Sequence, residues 1–264
     1  MEKELVIIRG GGDIASGTIQ KLYKSGFRLL VLEIENPTCI RRTVSFGEAV
    51  VLGKIEIEGI VAVAVSNEEE MEKAWANKEI PVIVDEKGQW ITVLKAQILV
   101  DAILAKRNLG THRQMADLTI GLGPGFTAGK DVDVVIETKR GHHLGRVIYQ
   151  GQAAKNTGIP GLIKGCGKER VIHSSHRGKM KNMAEIGDTV KQGQIIAYID
   201  EQPVYASLSG ILRGILRDGS QVPEGFKIAD IDPRLSEREN CYTISDKARN
   251  IAGGVLEAIL AHRK

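Results

Sequence analysis

Residues 172–200 and 204–232 are two copies of one pattern. They align at a constant offset of 32 with no gap. Nine positions are identical: Ser175/Ser207, Gly178/Gly210, Gly187/Gly219, Val190/Val222, Gly193/Gly225, Ile196/Ile228, Ala197/Ala229, Ile199/Ile231 and Asp200/Asp232. Gap-free self-similarity demands equal strand lengths and equal turns in both halves, a tighter constraint than any single motif. Two copies are too few to stack as a solenoid, so they must pack on each other about a pseudo-twofold axis. Helical periodicity is missing between Gly141 and the end of the second copy, where short runs punctuated by Gly and Asp read as strands.

The unit Gly187-Asp188-x-Val190-x-x-Gly193-x-x-Ile196-Ala197 resembles the half-repeat of biotinyl and lipoyl domains. That resemblance implies a barrel-sandwich hybrid, a flattened barrel of two interlocked hairpin sheets, over residues 165–235. In carrier domains a lysine at the hairpin tip between the halves receives the cofactor. The corresponding segment, Asp200-Glu201-Gln202-Pro203-Val204, has no lysine. Without an amine to acylate, neither biotin nor lipoate is expected.

The first 140 residues follow a different grammar. Glu4–Ile8 reads as a buried strand, and Arg9-Gly10-Gly11-Gly12-Asp13-Ile14-Ala15 follows at once. Ala15, Ile19, Leu22, Tyr23 and Gly26 then fall on one helical face, and Phe27–Leu32 is a second strand ending at Glu33. Further strands are expected at Ile60–Val65, Pro81–Val84, Leu118–Leu122 and Val132–Ile136. Helices are expected at Glu68–Trp75 and Lys95–Arg107, the latter on the stripe Ala96, Leu99, Val100, Ile103 and Leu104. Alternating strands and helices predict an α/β fold with a Rossmann-like, mostly parallel sheet. Residues 236–264 close the chain with a helix that Ser245 is placed to cap. Its stripe from Ala248 to Leu260 should return it to the first domain, making the β domain an insertion.

Gly10-x-Gly12-x-x-Ala15 fits the dinucleotide fingerprint: a tight turn, a close backbone approach, and a small residue where helix meets strand. Asp13 opens the helix, as a cap or as an obstacle to phosphate. Glu33, 21 residues after Gly12, stands where an acid would hold a ribose hydroxyl. Arg41 and Arg42 fall just beyond the second strand and suit an anion. They would also lower the pKa of Cys39 if it lay beside them. Gly123 and Gly125 lie in a glycine-rich loop that could wrap an anion. Lys139, Arg140, His142 and His143 follow in a cationic cluster. Adjacent histidines seldom both ligate one metal, and no nearby Asp, Glu or Cys completes a metal-ligand spacing, so no metal is expected.

Composition narrows the classes. A net charge of +3 with no basic stripe and 4% aromatic residues argue against nucleic acid. The longest apolar run, Ile60–Val65, is far short of the roughly 20 residues that span a bilayer. Three scattered cysteines and no leader-like start suit the cytoplasm.

Three groups of segments together resemble the YqeB family. The first is Arg9–Gly17 with Leu32–Thr38 and Arg41–Val44. The second is Gly123–Phe126 with Val135–Thr138 and Arg140–Gly145. The third is Lys227–Arg234 with Ile244–Lys247. The resemblance implies an accessory protein that matures a selenium-dependent molybdenum hydroxylase, with the hydroxylase or its cofactor-maturation proteins as partners. It implies no catalytic residue. The ligand options are NAD(P) and the molybdenum cofactor. Two further readings stay open: an NAD(P)-dependent oxidoreductase of a small molecule, and a non-enzymatic scaffold that holds a client or a second copy of itself.

Overall fold

The long apolar runs become strands buried on both faces. In the computed structural model, which describes residues 4–158 and 163–263, β1 (Leu5–Arg9) and β2 (Arg28–Glu33) lie side by side in parallel. Val6, Ile7, Ile8, Leu30 and Val31 have no solvent exposure. Between them α1 (Asp13–Lys24) buries Ala15, Ile19 and Leu22 and ends at Ser25-Gly26, where Gly26 takes φ +91°.

The chain then forms α2 (Ala49–Leu52), the hairpin β3 (Lys54–Ile57) and β4 (Ile60–Val65), and α3 (Glu68–Ala76). Next come β5 (Ile80–Val84), α4 (Gln89–Val93), β6 (Ile98–Asp101) and β7 (Leu118–Leu122). The short strands β8 (Thr127–Ala128), β9 (Val134–Ile136), β10 (Val147–Ile148) and β11 (Gly151–Gln152) follow. The nine-stranded sheet runs β10-β9-β7-β6-β1-β2-β5-β4-β3 and is parallel except at its edge strands β10 and β3. The chain builds outward from β1 through β2 to β4 and β5, then crosses to β6. The switch point, where ligands favour such sheets, is therefore the carboxyl edge between β1 and β6.

The helix expected over Lys95–Arg107 is not there. Ile98–Asp101 is a central strand paired with both β1 and β7. Ile98, Leu99 and Val100 are all at most 2% exposed, so both of its faces are covered.

The terminal helix α5 (Asp246–His262) has the expected cap: Ser245 Oγ accepts from Ala248 N at 3.2 Å. Its buried stripe of Ala248, Ile251, Val255, Ala258 and Ile259 joins one core with α1 and the sheet. Glu58, at the β3–β4 turn, anchors the helix start, taking Arg249 Nη2 at 2.6 and 2.7 Å and Ile244 N at 2.8 Å.

Two compact units divide the chain. The first runs to Pro37, takes Ser45–Asn156 and resumes at Ile244, whereas the sequence expectation ends it at residue 140. The second comprises Thr38–Val44 and Thr157–Thr243. Its strands are β12 (Val171–His173), β13 (Gly178–Asn182), β14 (Thr189–Val190), β15 (Ile195–Ile199), β16 (Gln202–Tyr205), β17 (Gly210–Ile215), β18 (Gln221–Val222) and β19 (Lys227–Asp232). They form two antiparallel sheets, β12-β19-β17-β14 and β16-β15-β13-β18. The offset of 32 carries β13 onto β17, β14 onto β18 and β15 onto β19. Each sheet thus holds two long strands of one half and two short strands of the other. Asp200 and Glu201 make the two-residue turn between β15 and β16, Asp200 at φ +51°.

Candidate functional site

The switch point of the first unit is where a ligand would be sought, and several predicted residues gather along that edge. Gly10 takes φ +88°, and a Cβ there would meet the backbone of Ile103 at 3.0 Å. Gly11 donates its N–H to Glu33 Oε2 at 2.8 Å. Its carbonyl accepts from Gly47 N and from Ser45 Oγ, both at 2.9 Å. A Cβ on Gly11 would lie 2.5 Å from Gly47 N, and one on Gly47 would lie 2.5 Å from Glu33 Oε2. The backbone that closes on this turn is therefore the chain's own segment Ser45–Gly47. Burial raises the pKa of Glu33 above the ordinary carboxylate range, against the pull of the Gly11 and Ile34 N–H groups. That carboxylate is committed to Gly11, not turned outward to a ribose.

Asp13 does not cap α1. The cap position is Gly12, which has no side-chain hydrogen bond, and Asp13 sits in the first helical turn. Ala15 is wholly buried at the helix–sheet contact, as the fingerprint requires.

The glycines after β7 serve local packing. Gly123 takes φ +78° against the Thr138 side chain, and Gly125 lies against the Arg107 backbone, 2.7 Å from where its Cβ would be. Phe126 is buried, and Asp131 Oδ2 accepts from Thr127 N at 2.7 Å. The loop is folded on itself and is not an open ring of N–H groups.

Beyond β9, the buried Glu137 accepts from Lys139 N and Ala154 N, each at 2.7 Å. Lys139, Arg140, His142 and His143 are exposed. The two imidazoles meet edge to face at 5.0 Å, and His143 Nδ1 is 3.3 Å from Arg146 Nη1. Arg140 grips Asp246, the first residue of α5, through two bonds of 2.6 and 2.9 Å.

This arrangement delivers a residue that the sequence marked only as the end of the segment Ile244–Lys247 and not as a site residue. Lys247, half-buried, is carried to the edge by α5. Burial and then Arg140 push its ammonium below the ordinary lysine pKa, while Asp13, Glu137 and Asp246 pull the other way. The fields it feels come from the start of α1, the end of β9 and its own helix. A half-buried lysine of lowered pKa beside a helix N-terminus is suited to contacting an anion or accepting a proton. In the sequence its signal is membership of the segment Ile244–Lys247, which carries the family resemblance but assigns the lysine no role.

A second unflagged group closes the edge from beneath. Arg9 Nη1 donates to Thr111 Oγ1, and Thr111 Oγ1 donates to Asp101 Oδ2, both at 2.6 Å. Arg9, Asp101 and Thr111 are buried, and burial raises the pKa of Asp101 against the Thr111 hydroxyl, Arg9 and the Ile103 N–H. A charged residue ending an otherwise apolar strand, at Arg9 and again at Asp101, is the available sequence signal.

Arg41 and Arg42 belong to the second compact unit and not to the unit of the parallel sheet. Arg41 Nη2 donates to the carbonyls of Asn240 (2.9 Å) and Thr243 (3.2 Å), and Arg42 Nε donates to Ile215 O at 2.9 Å. Cys39 is half-buried in the same segment. Among the described residues, no cluster of three or more His, Cys, Asp or Glu is placed to hold a metal. Nor is any helix long and apolar enough to cross a membrane. An open hollow lined by His112, Arg113, Asp117, Lys130 and Asp133 lies at the opposite, amino edge of the sheet. The Arg113–Asp133 pair at 2.6 Å bridges it.

Fold and site together define a mixed α/β protein with a large, mostly parallel sheet and a returning C-terminal helix. No family model matches the chain. Over 257 residues, 97% of its length, it is 51% identical to YqeB of Escherichia coli (strain K12), described as an uncharacterized protein. That likeness supports the YqeB family. The chain spans about half, 47%, of that relative. Among solved structures it is matched to an aspartoacylase family protein from Mesorhizobium loti, 10% identical, covering 88% of this chain and 85% of that one, at a TM-score of 0.25. It is also matched to the ectoine utilization protein EutE (DoeB) from Ruegeria pomeroyi, 9% identical, covering 87% and 86%, at a TM-score of 0.27. Likeness at this level carries no argument about activity.

Proposed function

We propose that this protein is an accessory factor in the maturation of a selenium-dependent molybdenum hydroxylase, and that the carboxyl edge of its parallel sheet takes an anionic ligand. The pathway half of this reading rests on the motif resemblance quoted above. The ligand half rests on one observation: α5 brings Lys247 into the field of Asp13 and Glu137, beside Arg140. The cations of the edge, Arg140 and Lys247 with Lys139 on the adjoining loop, and the N–H groups of His142 and His143 beside them, fit a phosphate group, which NAD(P) and the molybdenum cofactor both carry. For a dinucleotide laid over the glycine turn the fit is poor, because Ser45–Gly47 covers Gly11 and Glu33 is held by the Gly11 N–H. The cofactor reading is therefore the stronger of the two.

Replacing Lys247 with Met tests the proposal in cells that depend on this protein for hydroxylase activity. Activity should fall while the amount of folded protein is unchanged. Wild-type activity with Lys247→Met would remove the lysine from the function.

A non-enzymatic scaffold is the second reading, favoured by the same closure of the glycine turn. It extends to the second unit, whose two interleaved four-stranded sheets we read as a barrel-sandwich hybrid that presents a surface without a carrier lysine. Recovery of hydroxylase subunits in a pull-down, undiminished by Lys247→Met, would favour it.

A further inference from the structure

The glycine turn after β1 and the glycine-rich loop after β7 both press on one segment, residues 102–111, which leaves β6 at the switch point. A Cβ on Gly10 would meet Ala102 C at 3.2 Å and Ile103 Cα at 3.0 Å. A Cβ on Gly125 would lie 2.7 Å from Arg107 N and 2.8 Å from Arg107 Cα. The far end of the segment is tied down by Thr111, whose hydroxyl accepts from Arg9 and donates to Asp101. Asn108 Oδ1 takes the N–H groups of Gly110 and Thr111, at 2.9 and 2.8 Å. Two glycines of two separate motifs thus seat the same stretch of backbone.

Between those ties the backbone is strained and its donors are unspent. Leu104 and Lys106 take φ +59° and +62°, while Ile103, Ala105 and Arg107 keep negative φ. The left-handed conformation is costly for a residue with a Cβ, and such strain persists only where the surroundings impose it. Alternation between right- and left-handed residues is how anion-binding nests are built, with successive N–H groups lining one concavity. Among the described residues, the N–H groups of Leu104, Ala105, Lys106 and Arg107 donate to no protein acceptor. The side chains of Lys106 and Arg107 are exposed, and among the described residues neither meets a carboxylate. Four unspent donors and two cations therefore lie together just beyond the carboxyl end of a central strand.

We propose that residues 104–107 form a nest for a phosphate or diphosphate group. The N–H groups hold its oxygens, and Lys106 and Arg107 neutralise its charge. The nest rests on the reading of the carboxyl edge as an anion site, and it places the phosphate at the end of β6.

The test is isothermal titration calorimetry of the full chain with inorganic phosphate, pyrophosphate and adenosine monophosphate, at constant ionic strength set with chloride. Wild type should bind at least one of the three saturably. Binding of the inorganic anions alone would identify a free anion as the ligand, and binding of the nucleotide as well would identify the phosphate end of a larger molecule. Arg107→Gln should weaken binding at least fivefold. Ala105→Pro, which removes the central N–H and leaves the charge unchanged, should weaken it at least tenfold. Lys130→Gln, an exposed cation at the amino edge, should leave it intact. No saturable binding by wild type, or full affinity in both Arg107→Gln and Ala105→Pro, would overturn the nest. Should Ala105→Pro fail to fold, the double variant Lys106→Gln/Arg107→Gln decides: a loss of at least tenfold supports the nest, and full affinity overturns it. Binding lost in Lys247→Met but kept in the loop variants would overturn the nest and leave the anion site of the edge standing.

Discussion

Two adjacent glycines in α5 are expected to respond to alanine with opposite signs. A glycine inside a helix costs about 1 kcal/mol relative to alanine, so by propensity alone Gly253→Ala and Gly254→Ala should both stabilise. Their surroundings differ. A Cβ on Gly253 meets nothing within 4 Å, so that substitution should gain the full propensity term, about 1 kcal/mol. A Cβ on Gly254 would overlap the carbonyl oxygen of Gly145 and lie 3.1 Å from Ile136 Cγ2 and 3.2 Å from the Gly145 carbonyl carbon. Neither neighbour can swing aside, since one is backbone and the other a core side chain at the end of β9. Relief needs a shift of roughly 1 Å, enough to forfeit a quarter to a half of each affected dispersion contact. Overpacking of this kind costs typically 1–3 kcal/mol, occasionally more. Buried Ile251, Val255 and Ile259 move with the helix, so the upper part of that range applies and a net loss of about 2 kcal/mol remains after the propensity gain. Urea unfolding followed by circular dichroism should separate the variants by about 3 kcal/mol, as opposite shifts in midpoint at unchanged slope. If both variants shift the same way, the seating of α5 against Gly145 is wrong. Placement of Lys247 and Arg140 by that helix would then be wrong too.

Asp101→Ala should cost about 3–5 kcal/mol, read from urea midpoints, because it leaves the buried Arg9 charge without its carboxylate. Glu58 gives a pH signature. Against the upward push of burial, Arg249, the Ile244 N–H and Gln20 hold its carboxyl below the ordinary value. Its stabilisation is then complete above the unfolded pKa and lost as pH falls through the lower folded one. Tm should drop on acidification below about pH 4.5, and Glu58→Gln should flatten that part of the profile. Lys247 has the opposite sense for an ammonium: its depressed pKa means that the fold favours the charged form less than the unfolded chain does. Lys247→Met should therefore hold or raise Tm by calorimetry; a clear fall would show the ammonium to be a structural partner.

How much of this was legible depended on whether burial was one-sided. The repeat could be read because equal spacing survives any detail of packing, and the strands do recur at that offset. The stripe at Ala96, Leu99, Val100, Ile103 and Leu104 misled because β6 is covered on both faces. A strand buried on both sides is a continuous apolar run, which satisfies helical spacing as readily as strand spacing. Length was the discriminator: the buried run spans only Ile98–Ala102, and Leu104 and Lys106 take positive φ beyond it. The placement of Arg41 and Arg42 failed for another reason. They follow β2 by a few residues, and nearness in sequence suggested the sheet edge, but Thr38–Val44 crosses into the second unit before the chain returns at Ser45. Nothing in a linear pattern marks so brief an excursion. The role of Lys247 was illegible because, apart from Asp246 beside it, the residues whose fields it feels, Arg140, Glu137 and Asp13, lie more than 100 positions away.

The glycine turn shows most sharply why a motif stops short of a function. Gly10, Gly12 and Ala15 satisfy the fingerprint because the turn must be tight and something must approach its backbone closely. The chemistry that makes a glycine necessary is the same whether a pyrophosphate or another loop approaches. At Gly11 it is a loop, with Gly47 matched glycine to glycine and Glu33 bonded to Gly11 and lying where a Cβ on Gly47 would go. The substitution Glu33→Gln separates the two uses. The amide oxygen of the new side chain still accepts the Gly11 N–H, the Ile34 N–H loses its acceptor, and a carboxylate that burial disfavours is removed. If the residue serves this closure, Glu33→Gln should keep stability within about 1 kcal/mol of wild type and leave hydroxylase maturation unchanged. A ribose ligand held by that carboxylate would instead lose affinity markedly, and a maturation defect at unchanged Tm would return the turn to the ligand.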